Sequence, residues 1–188
     1  MSRPAVILDR DGTLIHEARY LDRLERLQFF PYTIDAVRLL NRAGFAVVVA
    51  TNQAGVARAL MDESFIAEAH REIAARLAAG GARVDGWYYC PHHPEGVRPE
   101  YRQRCDCRKP KPGMLRQAAE ELDLDLARSF GVGDRWHDVE AAVAVGARPI
   151  LVRTGYGREE EAMPPRGLAA PVVVENLIEA VSWILQQS

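Results

Sequence analysis

A chain of 188 residues is long enough for one ordinary domain with a full core, and its 48% hydrophobic and 27% charged residues are globular values. A net charge of −2 gives no ground for wholesale nucleic-acid or membrane binding, and the longest uninterrupted apolar run, Phe45 to Ala50, is far too short to span a bilayer. The three cysteines, all between residues 90 and 107, cannot all pair with one another, and the first strand starts too early to leave room for a signal peptide; together these predict a cytoplasmic protein.

Strand and helix signals alternate along the chain. Pro4 to Leu8 reads as a strand buried on both faces, followed by a polar stretch, His16 to Phe30, without clear periodicity. Thr33 is placed to cap a helix carrying Ile34, Val37 and Leu40 on one face and ended by Gly44. Phe45 to Ala50 is the second strand, and a helix over Asp62 to Ala79 carries Ile66, Ala69, Ile73 and Leu77 as its stripe. Val84 to Tyr89 is the third strand, so that Trp87, Tyr88 and Tyr89 are expected in strand and core. Residues 90–111 form an irregular loop, and Pro112 opens the next helix. Ser129 to Val132, a helix over Val139 to Val145, and Pro149 to Arg153 follow; residues 154–171 read as loop, Val172 to Val174 as a short strand, and Asn176 as the cap of a closing helix. Such alternation predicts an α/β fold, a parallel sheet with helices on both faces, in a single domain over residues 1–188 without repeats or linkers.

In such a sheet, ligands gather at the carboxyl ends of the strands. The first strand ends in Asp9-Arg10-Asp11-Gly12-Thr13, where two carboxylates two residues apart would repel each other in a buried setting unless a cation bound there. Oxygen ligands of this kind suit Mg²⁺, which in turn suits phosphate, and Thr13 offers a hydroxyl and an amide to an anion. The plain alternative is a polar turn of the Asp-Gly type. The second strand ends in Thr51-Asn52-Gln53, and the fourth in Gly131-Val132-Gly133-Asp134-Arg135. Between them lies Arg108-Lys109-Pro110-Lys111-Pro112. Only Lys109 and Lys111 among the 24 basic residues are lysines, and a compact ammonium suits a point contact to phosphate; Lys111 is expected to be solvated and Lys109 functional.

Asp9-x-Asp11-Gly12-Thr13, Thr51-Asn52, Lys109 and Gly133-Asp134 resemble, in order, the four motifs of the haloacid dehalogenase superfamily of phosphatases. The resemblance implies a Rossmann-like sheet and a covalent mechanism, with Asp9 as nucleophile, Asp11 as general acid and base, and Thr51 and Lys109 holding the phosphoryl oxygens. Mg²⁺ would be held by Asp9, the carbonyl of Asp11, and Asp134. Asp138 is expected to cap a helix or face solvent, with a supporting role in the site as the alternative. His16, His70 and His137 carry no motif spacing and are expected to face solvent or bond locally.

Every cysteine lies beside a His-His pair: Cys90-Pro91-His92-His93, then Cys105-Asp106-Cys107. Four soft or borderline donors, paired at i and i+2, suit tetrahedral Zn²⁺ and leave no position for water, so the metal would be structural. The plain alternative is three free thiols and two surface histidines. By the resemblance, the ligands are Cys90, His92, Cys105 and Cys107, in a loop over about 90–109 that would also fix Lys109.

This zinc-bearing pattern is similar to two branches of the superfamily, the heptose-bisphosphate phosphatases and the histidinol phosphatases. The wide spacing from His92 to Cys105 resembles the first, because the second uses a markedly shorter loop. That branch implies D-glycero-D-manno-heptose 1,7-bisphosphate as substrate, losing its 7-phosphate on the way to a nucleotide-activated heptose for lipopolysaccharide core or surface polysaccharide. It further implies substrate contacts from Asp9, Arg10, Asp11, Thr51, Asn52, Gln53, Ala54, Arg108 and Lys109, with Arg135 toward the distal phosphate and a substrate loop over Glu17, Ala18, Arg19 and Tyr20. Glu17-Ala18-Arg19-Tyr20 departs from the branch's usual Asp-His-Gly-Tyr, so only Tyr20 transfers cleanly. The stretch between Asp11 and Asn52 already holds a loop, a helix and a strand, which leaves no room for a large cap domain and predicts an open site. The expected partner is a small phosphorylated sugar, with no nucleic acid or membrane, and the expected state is a monomer. From another class, a non-catalytic zinc-stabilised binding module competes; against it, every catalytic position carries a competent residue.

Overall fold

The computed structural model describes residues 2–187. Six strands form one parallel sheet: β1 (Ala5–Leu8), β2 (Ala46–Asn52), β3 (Gly86–Cys90), β4 (Phe130–Gly133), β5 (Arg148–Val152) and β6 (Val172–Val174), in the order β3-β2-β1-β4-β5-β6. The helices are α1 (Thr33–Arg42), α2 (Glu63–Ala79), α3 (Gly113–Leu122), α4 (Trp136–Ala144), α5 (Gly157–Ala162) and α6 (Leu177–Leu185). The expected α/β architecture is observed, and no helix among the described residues is long and apolar enough to cross a membrane.

The two-residue period of the strands divides the core. Val6, Leu8, Val47 and Val49 face the side covered by α1, α2 and α6, while Ala5, Ile7, Ala46, Val48 and Ala50 face α3 and α4. With both faces covered, β1 and the body of β2 are wholly apolar runs, as a parallel sheet requires. Strand order reverses direction at β1, whose neighbours are β2 and β4, so the ends of these three strands flank the crevice where a doubly wound sheet takes its ligand.

Element boundaries shift from the sequence-based expectations where side chains take over backbone pairing. The Asp85 carboxylate accepts the Val47 N–H at 2.9 Å, and β3 begins only at Gly86. Ser129 Oγ accepts the Ala5 N–H at 2.8 Å and donates to the Asp125 carbonyl at 2.6 Å, so β4 begins at Phe130. Thr33 is the first residue of α1 rather than its cap, because its hydroxyl donates to the Leu14 carbonyl at 2.8 Å. Asn176 caps α6 as expected, accepting from the Glu179 N–H at 3.1 Å. The 154–171 loop contains α5, whose Glu160 accepts the Trp136 N–H at 2.7 Å and whose Glu161 pairs with Arg153 at 2.6 Å. A glutamate-rich stretch reads as loop when those long-range partners are out of view.

Ser129 carries a buried pairing that alanine cannot replace. Ser129→Ala is expected to cost about 1–3 kcal/mol, seen as a lower urea midpoint with an unchanged m-value.

Candidate active site

The ends of β1 and β4 and the first turn of α4 bring three carboxylates together. Oxygens of Asp9, Asp134 and Asp138 lie within 4.8 Å of one another, and all three residues are buried. One ammonium stands among them. Lys109 Nζ lies 2.7 Å from Asp9 Oδ1, 2.6 Å from Asp138 Oδ1 and 2.6 Å from the Ala50 carbonyl. Its backbone is fixed by Asn52, whose side chain accepts from the Lys109 N–H and donates to the Lys109 carbonyl at 3.0 Å each. Asp138 does cap α4, accepting the Arg135 N–H at 3.1 Å, but it is 7% exposed rather than solvated and pairs with Lys109 as well. The helix starts three residues earlier than its apolar periodicity shows, and this turns Asp138 into the site.

Burial governs the charge state of this cluster. Desolvation, opposed by Lys109 and reinforced by the charges of Asp138 and Asp11, raises the Asp9 carboxyl from 3.8 to about 6. Asp134 is raised well above its usual value by burial and then by Asp9 and Asp138. Lys109 is also raised, because the two carboxylates beside it outweigh its own desolvation. Asp134 Oδ2 accepts the Tyr156 N–H at 2.8 Å, whereas its buried Oδ1 has no hydrogen-bond partner. Lys109 pairs with Asp9 and Asp138 but not with Asp134, so the charge left uncompensated in this group is that of Asp134. Gly12 and Gly155, both at positive φ, let two loops close over Asp134; a Cβ on either would overlap its Oδ2. These residues fit Mg²⁺, whose oxygen ligands stand about 3–4 Å apart in an octahedron.

Asp11 is held separately. Arg10 Nε and Nη2 reach its two oxygens at 3.1 Å each, and Gln53 Nε2 donates to Oδ2 at 2.9 Å and to Thr51 Oγ1 at 2.8 Å. With its oxygen accepting from Gln53, the Thr51 hydroxyl keeps its proton for another acceptor.

In front of this array opens a cavity of about 300 Å³ lined by Asp9, Arg10, Asp11, Glu17, Arg19, Tyr20, Thr51, Asn52, Gln53, Ala54, Arg108 and Arg135. Of the expected substrate contacts, Ala18 and Lys109 do not line it, and Arg10 does so without turning its charge toward it. The Arg10 side chain is 2% exposed and points its guanidinium inward. Ala18 packs on the core, and Lys109 lies behind Asp9, beside a smaller void. Thr13, expected to offer its hydroxyl to an anion, is fully buried without a hydrogen-bond partner for Oγ1. The wall also includes Tyr156, over whose ring the Arg135 guanidinium stands at 3.7 Å, and His137, one of the histidines expected at the surface or in local bonds. His70, another of these, is buried against Trp87. Tyr156 follows Arg153-Thr154-Gly155 at the end of β5, the kind of position where ligands gather, and that is the signal which marks it.

Behind Arg108 and Lys109 lie the three thiols and one imidazole expected to hold a metal. The sulfurs of Cys90, Cys105 and Cys107 are 3.1, 3.2 and 3.5 Å apart, and His92 Nδ1 lies 3.4 Å from Cys107 Sγ and 3.8 Å from Cys90 Sγ. A tetrahedral Zn²⁺ with bonds of about 2.0–2.3 Å sets donor separations of about 3.5–3.8 Å. The observed 3.1–3.8 Å overlaps that window at its upper end, so the donor types suit zinc and the sulfurs would move slightly apart around it. Burial pushes the Cys90 thiol up, and a cation reverses that. His93 stands outside, its Nδ1 accepting from the Glu95 N–H at 3.1 Å. Lys111 pairs with Asp106 at the surface, solvated as expected.

The chain matches two protein families, HAD-hydrolase-like over residues 106–180 and polynucleotide kinase 3 phosphatase over residues 5–142. It is 47% identical to the D-glycero-β-D-manno-heptose-1,7-bisphosphate 7-phosphatase of Escherichia coli K12, covering 99% of this chain and 96% of the relative. The chain belongs to the heptose-bisphosphate phosphatase family of HAD-like hydrolases. Its fold agrees with that of D,D-heptose 1,7-bisphosphate phosphatase from B. bronchiseptica, a structure complexed with magnesium and phosphate, at a TM-score of 0.88 and 36% identity over 98% of this chain and 99% of that one. The Burkholderia thailandensis D,D-heptose 1,7-bisphosphate phosphatase aligns at a TM-score of 0.73 and 30% identity over 97% and 99%. The protein is a phosphoric monoester hydrolase.

Two outcomes follow from the charge balance and the loop. A carboxyl whose pKa rises from 3.8 to about 6 on folding holds a proton that the unfolded chain has released. Stability of the metal-free protein therefore falls as pH rises through that window, and a cation that binds the ionised form restores it. The rise in thermal midpoint on adding MgCl₂ is expected to be larger at about pH 7.5 than at about pH 5; an equal or reversed shift would contradict this balance. Cys107→Ser is expected to lower bound zinc, measured by elemental analysis, and to cost about 3 kcal/mol of stability with a parallel loss of kcat, since Lys109 is two residues away.

Proposed function

We infer that the protein hydrolyses the 7-phosphate of D-glycero-β-D-manno-heptose 1,7-bisphosphate through a phosphoryl-aspartate. The observation that carries this reading is the carboxylate–ammonium cluster under an open cavity, in a chain whose full-length relatives bear that name. Asp9 attacks phosphorus, and a P–O bond to its carboxylate forms as the bond to the sugar oxygen breaks. Asp11 protonates the departing oxygen and then takes a proton from the water that cleaves the acyl phosphate. The Thr51 hydroxyl, with its oxygen occupied by Gln53, donates to a phosphoryl oxygen. Lys109 keeps Asp9 ionised, and one of its three contacts gives way to a phosphoryl oxygen as charge arrives.

Mg²⁺ held by Asp9, the Asp11 carbonyl and Asp134 would neutralise charge on the phosphoryl group and orient it. Zn²⁺ on Cys90, His92, Cys105 and Cys107 would hold the Arg108-Lys109 backbone. Arg108, Arg135 and Arg19 line the cavity wall and would take the sugar and its distal phosphate, with Tyr20, Asn52 and Ala54, also on the wall, against the sugar body. The product keeps its anomeric phosphate, which suits nucleotidyl transfer as the next step toward an activated heptose. Zinc-binding thiols are consistent with a reducing cytoplasm.

The deciding experiment is phosphate release with Mg²⁺, comparing kcat/KM for the two heptose bisphosphate anomers and histidinol phosphate. The β anomer is expected to lead, and Asp9→Asn to lose about 10³-fold or more in kcat. Preference for histidinol phosphate would overturn the substrate, and turnover surviving in Asp9→Asn would overturn the mechanism.

A further inference from the structure

The stripe that α2 turns to the core is aliphatic at Ile66, Ala69, Ile73 and Leu77, all fully buried, yet His70 stands among them at 7% exposure. An imidazole in such a place is costly unless its polar atoms are served. Its ring stacks on Trp87 with centroids 4.7 Å apart, and Nε2 lies 3.4 Å from Arg10 Nη1. Arg10 is one of the largest fully buried side chains in the molecule and is permanently charged. Its Nε and Nη2 are engaged by Asp11, Nη2 also by Gln53 Oε1 at 2.9 Å, and Nη1 by His70. To accept from Nη1 the ring must be neutral, with its proton on Nδ1. Burial, with the Arg10 charge beside it, lowers the His70 pKa to about 3 and so keeps it neutral.

We propose that His70 is a positioning residue that acts through Arg10 to fix the carboxylate plane of Asp11 for proton transfer to the leaving oxygen. The proposal rests on the reading of Asp11 as general acid. A free aspartate swings its two oxygens about the terminal torsion, whereas transfer requires one of them to stay within hydrogen-bond reach of the departing atom. The Arg10 fork grips both oxygens and sets their plane; Gln53 steadies one of them from the strand side. The fork is itself planar, and His70 is the group that holds its far nitrogen. Neither His70 nor Trp87 lines the cavity, so their influence on the reaction runs through Arg10.

The test compares two substrates within each variant, so the fraction of correctly folded protein cancels. An alkyl phosphate needs a proton on its leaving oxygen; p-nitrophenyl phosphate releases a stable phenolate and needs it far less. His70→Leu, which keeps the bulk and removes the acceptor, is expected to lower kcat/KM for the alkyl phosphate about tenfold more than for p-nitrophenyl phosphate. His70→Gln, whose amide oxygen can take the place of Nε2, is expected to restore most of that ratio. Asp11→Asn should show the same selectivity in stronger form. Equal losses on both substrates in His70→Leu, or no recovery in His70→Gln, would overturn the positioning role while leaving the mechanism intact. Absence of selectivity in Asp11→Asn would overturn the general-acid reading and this proposal with it.

Discussion

Three buried carboxylates facing one buried ammonium set the terms for the rest of this structure. Asp9, Asp134 and Asp138 would repel one another at the dry edge of the sheet, and Lys109 balances only part of that charge. What remains falls on Asp134 and Asp9, both raised in pKa, with one Asp134 oxygen left without a partner. A divalent cation is the kind of partner that such a surplus of buried negative charge suits. The surrounding backbone yields to the same need: Gly12 and Gly155 adopt positive φ so that nothing larger than hydrogen meets Asp134.

Holding Lys109 in the middle of this cluster takes two independent devices. Asn52, at the end of β2, binds both the N–H and the carbonyl of Lys109, which ties the loop to the sheet. Two residues earlier, Cys107 belongs to the cluster of three thiols and one imidazole whose donor types suit zinc. One anchor belongs to the strand and the other to the loop, so the ammonium is placed even though its segment has little regular structure of its own.

Asp11 is kept apart from the cluster by different chemistry. Its oxygens see Arg10 and Gln53 rather than Lys109, and the chain behind them ends at His70 and Trp87. Two carboxylates two residues apart thus occupy distinct environments, the condition under which one of them serves as nucleophile and the other handles protons.

The order of strands and helices, the apolar strand cores, the carboxylates at strand ends, the lysine that joins them and the cysteine–histidine loop are all legible in the sequence. Each is a local signal: alternation of period, residue type at a strand end, or ligand spacing along one loop. Tertiary structure alone decides what depends on distant partners. Asp138 joins Lys109 only because α4 begins earlier than its apolar periodicity shows, and α5 forms because Glu160 meets Trp136. Tyr156 reaches both Asp134 and Arg135 across the sheet edge, and His70 finds Arg10 sixty residues away. A histidine without motif spacing carries no signal in sequence. Its meaning comes from the buried charge that the fold places against it.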